Sequence, residues 1–134
     1  ATLRRFLSWG EAREMISTGM AIGSHTHAHP VLSQLELEQQ RQELTQSRAL
    51  LRGQLGIKAD TLAYPVGNSN SFSDETQRVA QEVGYRAAFS FYGGTNLPGM
   101  TRRYDVKRIG VGYQSWPRFQ VQAAICKLTG RYCP

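Results

Sequence analysis

The sequence holds three histidines, and all fall within five residues, His25-Thr26-His27-Ala28-His29, just ahead of Pro30. Neutral imidazole is the commonest side-chain ligand for zinc and similar ions. Residues four apart share one face of a helical turn, so His25 and His29 are placed to converge on one cation. The cluster follows Met20-Ala21-Ile22-Gly23, a short apolar run that reads as a buried strand. Strand ends are where ligand sites of open and barrel α/β sheets gather. The competing reading is a trio of solvated or hydrogen-bonded histidines with no metal. Three in five residues at a strand-to-helix junction favour the metal.

Other residues carry less. Tyr64-Pro65-Val66-Gly67 reads as a strand running into a turn. Cys126 and Cys133 are the only cysteines. They are too few for a disulfide framework, yet close enough to bridge in an oxidising compartment. The formal net charge of +6 admits an acidic partner. The arginines are scattered, however, and only Arg102, Arg103, Lys107 and Arg108 cluster. No basic helix with base-reading or stacking side chains accompanies them, so no nucleic-acid partner is expected. Nor does any apolar stretch reach membrane-spanning length.

The elements that must position these residues follow from caps and periodicity. Ser8 and Glu11 form a capping box opening a helix that turns Ala12, Met15 and Ile16 inward and stops at Gly19. Ser33 and Glu36 form a second box ahead of a long helix with Leu37, Leu44, Leu51 and Leu55 on one face, ended by Gly56. Thr61–Tyr64 is the next strand. Ser73-Asp74-Glu75 starts a third helix facing Thr76, Val79, Ala80 and Val83 inward, with Gly84 as its stop. Tyr85–Phe91 and the stretch from Val106 to Val111 read as strands. Pro117 sits in the first turn of a last helix holding Phe119, Val121, Ile125 and Leu128. Alternating helices and strands argue for an α/β protein with a mainly parallel sheet. At 134 residues, 40% hydrophobic and 19% charged, the chain reads as one globular domain, 1–134.

Gly23-Ser24-His25-Thr26-His27-Ala28-His29-Pro30-Val31-Leu32 resembles the second motif of the polysaccharide deacetylase domain (NodB homology, carbohydrate esterase family 4), which reads His-Ser/Thr-x-x-His followed by Pro-x-Leu. Leu62-Ala63-Tyr64-Pro65-Val66-Gly67 resembles the third motif, in the branch reading Phe-Ala-Tyr-Pro-x-Gly. Val83-Gly84-Tyr85-Arg86-Ala87-Ala88-Phe89 and Arg108-Ile109-Gly110-Val111 resemble later family segments in the same order. The resemblance implies a seven-stranded, TIM-barrel-like (β/α) barrel and a metal-dependent hydrolase that removes N- or O-acetyl groups from a polysaccharide. It makes His25 and His29 the ligands of a divalent metal, most simply zinc, and leaves His27 on a variable position. It gives the Val66 backbone N–H the task of holding the developing oxyanion, which needs an amide rather than a particular side chain. Tyr64, in the same motif, becomes a candidate substrate contact. The motif's arginine in other branches corresponds to Ala63.

The family's first motif, which supplies two aspartates as general base and third ligand, has no counterpart before His25. Glu11 and Glu14 are the only carboxylates there, and Asp60, Asp74 and Asp105 all come later. Asp105 pairs at best loosely with Trp116 as a later Asp-Trp motif. No histidine follows His29 to fill the family's late catalytic position. Two ligands hold zinc weakly, and a missing base forfeits a factor on the order of 10²–10⁴. The chain is therefore expected to be inactive by itself. It is expected to be a partial barrel lacking its opening strands, with an open edge across which two copies could pair. Ala1 without an initiator Met or signal arrangement fits an internal position of a longer, exported or cell-envelope protein. Metallo-β-lactamase and amidohydrolase sites, which also open with His-x-His, fit less well: His29 and Pro30 stand where the first wants Asp and His, and the second needs about 250 residues. A non-catalytic metal- or glycan-binding remnant, with Trp9, Tyr64, Tyr92 and Trp116 as sugar platforms, is the remaining alternative.

Overall fold

The computed structural model describes residues 6–97, 99, 101–110 and 115–129, apart from the side chains of Cys126 and Thr129. Helix α1 (Trp9–Ser17) begins as read: Ser8 Oγ accepts the Glu11 N–H at 3.2 Å, and Ser8 N–H donates to Glu11 at 2.8 Å. Those bonds to Ser8 hold the Glu11 carboxyl below the usual range.

Helix α2 (Leu37–Leu55) starts three residues later than its expected cap. Ser33 lies in a short 3-10 turn, Leu32–Gln34, where its hydroxyl donates to the Asn70 carbonyl at 2.7 Å. Glu36 is the N-cap instead, its N–H donating to Gln39 at 3.1 Å. The buried stripe of α2 is Gln40, Leu44 and Ser47, while Leu37 is exposed and Leu51 and Leu55 half-buried. A strict seven-residue leucine repeat drifts around a 3.6-residue helix. The packing face follows the i, i+4, i+7 positions and accepts two polar residues, Ser47 bonded to Ser24 and Gln40 donating to the Leu35 carbonyl while its own oxygen is left unpaired. Gly56, at φ 69°, ends the helix.

Strand β1 (Thr61–Ala63), helix α3 (Asp74–Val83) and strand β2 (Ala87–Phe89) complete a right-sized crossover. Ser73 caps α3 by accepting the Thr76 N–H at 3.2 Å, and Gly84, at φ 98°, terminates it. β1 and β2 are parallel, with Leu62 opposite Ala88. Ser24 bridges to Leu62 on one side and Val106 to Phe89 on the other, both parallel. The lateral order is thus Ser24, β1, β2, Val106, following the chain.

The strands are shorter than the sequence suggests. Met20–Gly23 forms no ladder: Ser24 alone pairs, through bonds with Thr61 and Ala63 at 2.8 Å, and Met20 is exposed. The stretch from Val106 contributes one bridge, and Val111 lies outside the described residues. Beneath the sheet, Leu32, Leu44, Leu62, Tyr64, Phe72, Val79, Ala80, Tyr85 and Ala88 make one core. Helix α4 (Trp116–Thr129) forms where expected but leaves Val121, Ile125 and Leu128 exposed. The pairing of Cys126 with Cys133 lies outside the described residues. Among the described residues, no helix is long and apolar enough to cross a membrane.

Candidate metal-binding and oxyanion site

The parallel strand ends at Ser24, Ala63 and Phe89 open on the same side, and the two motif loops leave from there. The histidine loop does not use a helical turn. Thr26 and His29 sit in the left-handed region, at φ 66° and 60°, a conformation non-glycine residues adopt uncommonly. This folds His29 back over His25, so that the two rings meet edge to face with centroids 4.8 Å apart. Two imidazoles sharing a tetrahedral zinc at about 2.0–2.1 Å place their ring centres roughly 5 Å apart, so the pair fits one ion. Convergence was expected from spacing; the device producing it is a left-handed turn.

His25 Nδ1 lies 2.7 Å from the Ala63 carbonyl oxygen. A carbonyl only accepts, so Nδ1 carries the proton and Nε2 keeps its lone pair for an ion. Both rings are exposed, so an ion has open access. Among the described residues, no group of three His, Cys, Asp or Glu side chains is gathered. The pair could therefore offer an ion two positions of a coordination sphere.

The loop is held from below by residues that spacing did not flag. Glu43, on α2, accepts the N–H groups of both His27 (2.9 Å) and Ala28 (2.8 Å) on a single carboxylate oxygen. Thr26 Oγ1 accepts the His29 N–H at 3.1 Å. Ser24 Oγ contacts Ser47 Oγ at 2.8 Å and the Tyr85 hydroxyl at 2.8 Å, and that hydroxyl also reaches the Leu44 carbonyl at 3.0 Å. Burial pushes the Tyr85 phenol above its ordinary range, so this buried polar cluster stays neutral. Only the acidic character of Glu43, one residue before the buried Leu44, could have hinted at its role.

The second loop is built from backbone. Val66 also lies in the left-handed region (φ 62°), and Gly67 N–H closes a three-residue turn onto the Pro65 carbonyl at 2.6 Å. Gly67 follows at φ 73°, its carbonyl accepting the Phe91 N–H at 2.6 Å. The Val66 N–H has no partner among the described residues, and its side chain is about half exposed, at 51%. An amide at a strand tip with its hydrogen free is what an oxyanion donor requires.

Tyr64 has a different position from the one the sequence suggested. It is 1% exposed, stacks on Phe72 at 4.1 Å and donates to the Tyr104 carbonyl at 3.0 Å. Burial raises its phenol far above the ordinary range. No ring face is left for a sugar, because both the strand register and the core claim it. Tyr92 is half-buried and donates to Asp105; burial and that carboxylate push it up to about 12. Asp105 is thus tied to Tyr92, and Trp116 stacks on Phe119 instead. Of the four suggested sugar platforms, only Trp9 and Trp116 are substantially exposed.

A family model for polysaccharide deacetylase matches residues 4–88. Over 112 residues the chain is 31% identical to YxkH of Bacillus subtilis (strain 168), a protein assigned to the polysaccharide deacetylases, covering 81% of this chain and 37% of YxkH. The Streptococcus pyogenes deacetylase PplD, solved in complex with acetate, superposes with a TM-score of 0.77 at 24% identity, covering 90% of this chain and 52% of PplD. IcaB from Ammonifex degensii gives 0.73 at 26% identity, covering 87% and 52%. The chain thus spans about half the length of these solved relatives, and less of YxkH.

Proposed function

The chain belongs to the polysaccharide deacetylase family, and from that premise we propose that it forms part of a metal-dependent hydrolase removing acetyl groups from a sugar polymer. The observation carrying this is the meeting of His25 and His29 at a strand end, with His25 Nδ1 tied to Ala63. In this reading both imidazoles hold a divalent ion, zinc by donor type, and His27 holds none. Bound there, the ion supplies Lewis acidity toward the acetyl carbonyl and the attacking water. Val66 offers its N–H to the carbonyl oxygen as negative charge develops on it. Hydrolysis then breaks the acyl bond, the water oxygen leaving with acetate and a proton passing to the sugar nitrogen or oxygen.

We read the parallel run Ser24, β1, β2, Val106 as an arc of a seven-stranded barrel, in a single domain over 1–134. The general base is not among these residues. Asp60 faces Arg48 and Arg86, Asp74 faces Arg102, and Asp105 takes the Tyr92 hydroxyl. Each aspartate is thus engaged elsewhere, and Glu43, whose carboxylate does reach the histidine loop, is taken up by the His27 and Ala28 amides. In this reading the 134-residue chain therefore binds an ion and releases no acetate. A non-catalytic metal- or glycan-binding role is the second reading, favoured by that same lack of a base.

Zinc titration calorimetry tests the ligand assignment. Wild type binds one ion per chain; His25→Ala and His29→Ala each weaken binding at least about 100-fold, and His27→Ala changes it little. Equal loss at all three positions would refute the pair. Acetate release by a longer version containing the missing motif, and not by this chain, separates the hydrolase reading from the non-catalytic one.

A further inference from the structure

Phe91 is an apolar ring left half in water, 51% exposed, at the strand end beside the Val66 turn. A lone exposed apolar residue is ordinary; one held this firmly is not. Its N–H donates to Gly67 at 2.6 Å. A Cβ on Gly67 would come within 2.9 Å of the Phe91 backbone nitrogen and Cβ, and a Cβ on Gly110 within 3.0 Å of its Cζ. Arg108 lays its guanidinium 5.4 Å from the ring centre, anchored by its Nε–H donating to the Ser90 carbonyl at 2.9 Å. The ring is thus gripped at its root, its tip and one face. Two glycines leave room for it, and a partly desolvated arginine is spent on orienting it.

A rigid aromatic surface loses little freedom on binding, and its exposed face suits the C–H face of a pyranose. The neighbouring Pro65–Gly67 turn carries the amide assigned to the acetyl oxygen. We propose that Phe91 is the platform on which the acetylated sugar ring stacks while its acetyl group points to Val66 N–H, with Arg108 as the residue that positions the ring. This rests on the reading of the chain as part of an enzyme acting on an acetylated sugar polymer. It names the side chain that binds the sugar, a role the core position of Tyr64 rules out for that residue.

The test titrates the isotopically labelled 134-residue chain with tri-N-acetylchitotriose and follows backbone amides by NMR, with zinc affinity measured in parallel. Wild type should show shifts at Gly67, Phe91 and Gly110. Phe91→Ala should raise Kd by about five-fold or more, and Phe91→Trp should retain binding and report it by fluorescence. In zinc-free buffer the loss at Phe91→Ala should persist, while His25→Ala, measured without sugar, weakens zinc binding at least about 100-fold. The proposal falls if Phe91→Ala, with an otherwise native spectrum, binds as wild type does. It falls equally if wild type shows no shifts up to about 10 mM sugar. Failure of the metal reading looks different: zinc is not held by wild type, while sugar binding still depends on Phe91.

Discussion

Two loops leave neighbouring strand ends, and both force non-glycine residues into the left-handed region, yet they are held by opposite means. In the histidine loop, side chains do the holding. Thr26 Oγ1 takes the His29 N–H, and Glu43 reaches up from α2 to take two more. In the Pro65–Gly67 loop, backbone does it: Gly67 to Pro65, and Phe91 to Gly67. The first loop offers imidazoles and the second an amide. Each is supported by the same kind of group it presents, side chain in the first and backbone in the second, and the one structural bond on a presented ring runs through His25 Nδ1 to the Ala63 carbonyl.

If the second loop is a backbone device, its weak point is Gly67, and the largest effect belongs there. Gly67→Ala adds a methyl 2.9 Å from the Phe91 nitrogen and Cβ, at φ 73°. Strain at positive φ and overpacking together should cost about 2–4 kcal/mol, read as a lowered urea midpoint at unchanged slope. A loss under about 0.5 kcal/mol would mean the turn can relax and is not a rigid mount.

If the first loop is a side-chain device, its weak point is Glu43. Removing an outer support of a metal ligand typically lowers affinity by about 10–100-fold, so Glu43→Ala should weaken zinc binding within that range. Glu43→Gln keeps an acceptor oxygen for His27 and Ala28 and should recover most of the affinity. Should the glutamine variant bind as poorly as alanine, the carboxylate acts through its charge and the positioning account is wrong. The readout is calorimetric affinity together with the His25 and His29 ring resonances.

This division explains what the sequence could show. Histidine identity is written in the chain, so His25 and His29 were legible, and so were the caps at Ser8 and Ser73 and the stops at Gly56 and Gly84, because local chemistry decides them. The helical turn assigned to the histidines was wrong in detail, since spacing specifies that two rings are near, not the backbone that brings them together. Glu43 and the Ser24–Ser47–Tyr85 cluster stayed hidden because they join residues between 15 and 61 positions apart. Tyr64 misled because an aromatic beside a site motif looks the same in sequence whether its ring faces the core or the substrate. Leu37 misled for a related reason: a leucine repeat marks a helix, and only the elements packed on it, α3 above all, decide which stripe is buried.

The smallest effect sharpens the contrast most. If Val66 acts through its amide alone, its side chain should be dispensable for everything the loop does. A β-branched residue at φ 62° is strained, by roughly 1–2 kcal/mol in the left-handed region. Glycine there releases that strain but gains freedom in the unfolded chain worth about 0.5–1 kcal/mol. Val66→Gly should therefore raise stability by no more than about 1 kcal/mol, with zinc affinity unchanged, and Val66→Ala should be near neutral. The 51% exposed side chain leaves little buried area to lose in either variant. A clear destabilisation by glycine would show that the valine side chain holds the turn. The two loops would then share one mode of support, and the distinction between them would fail.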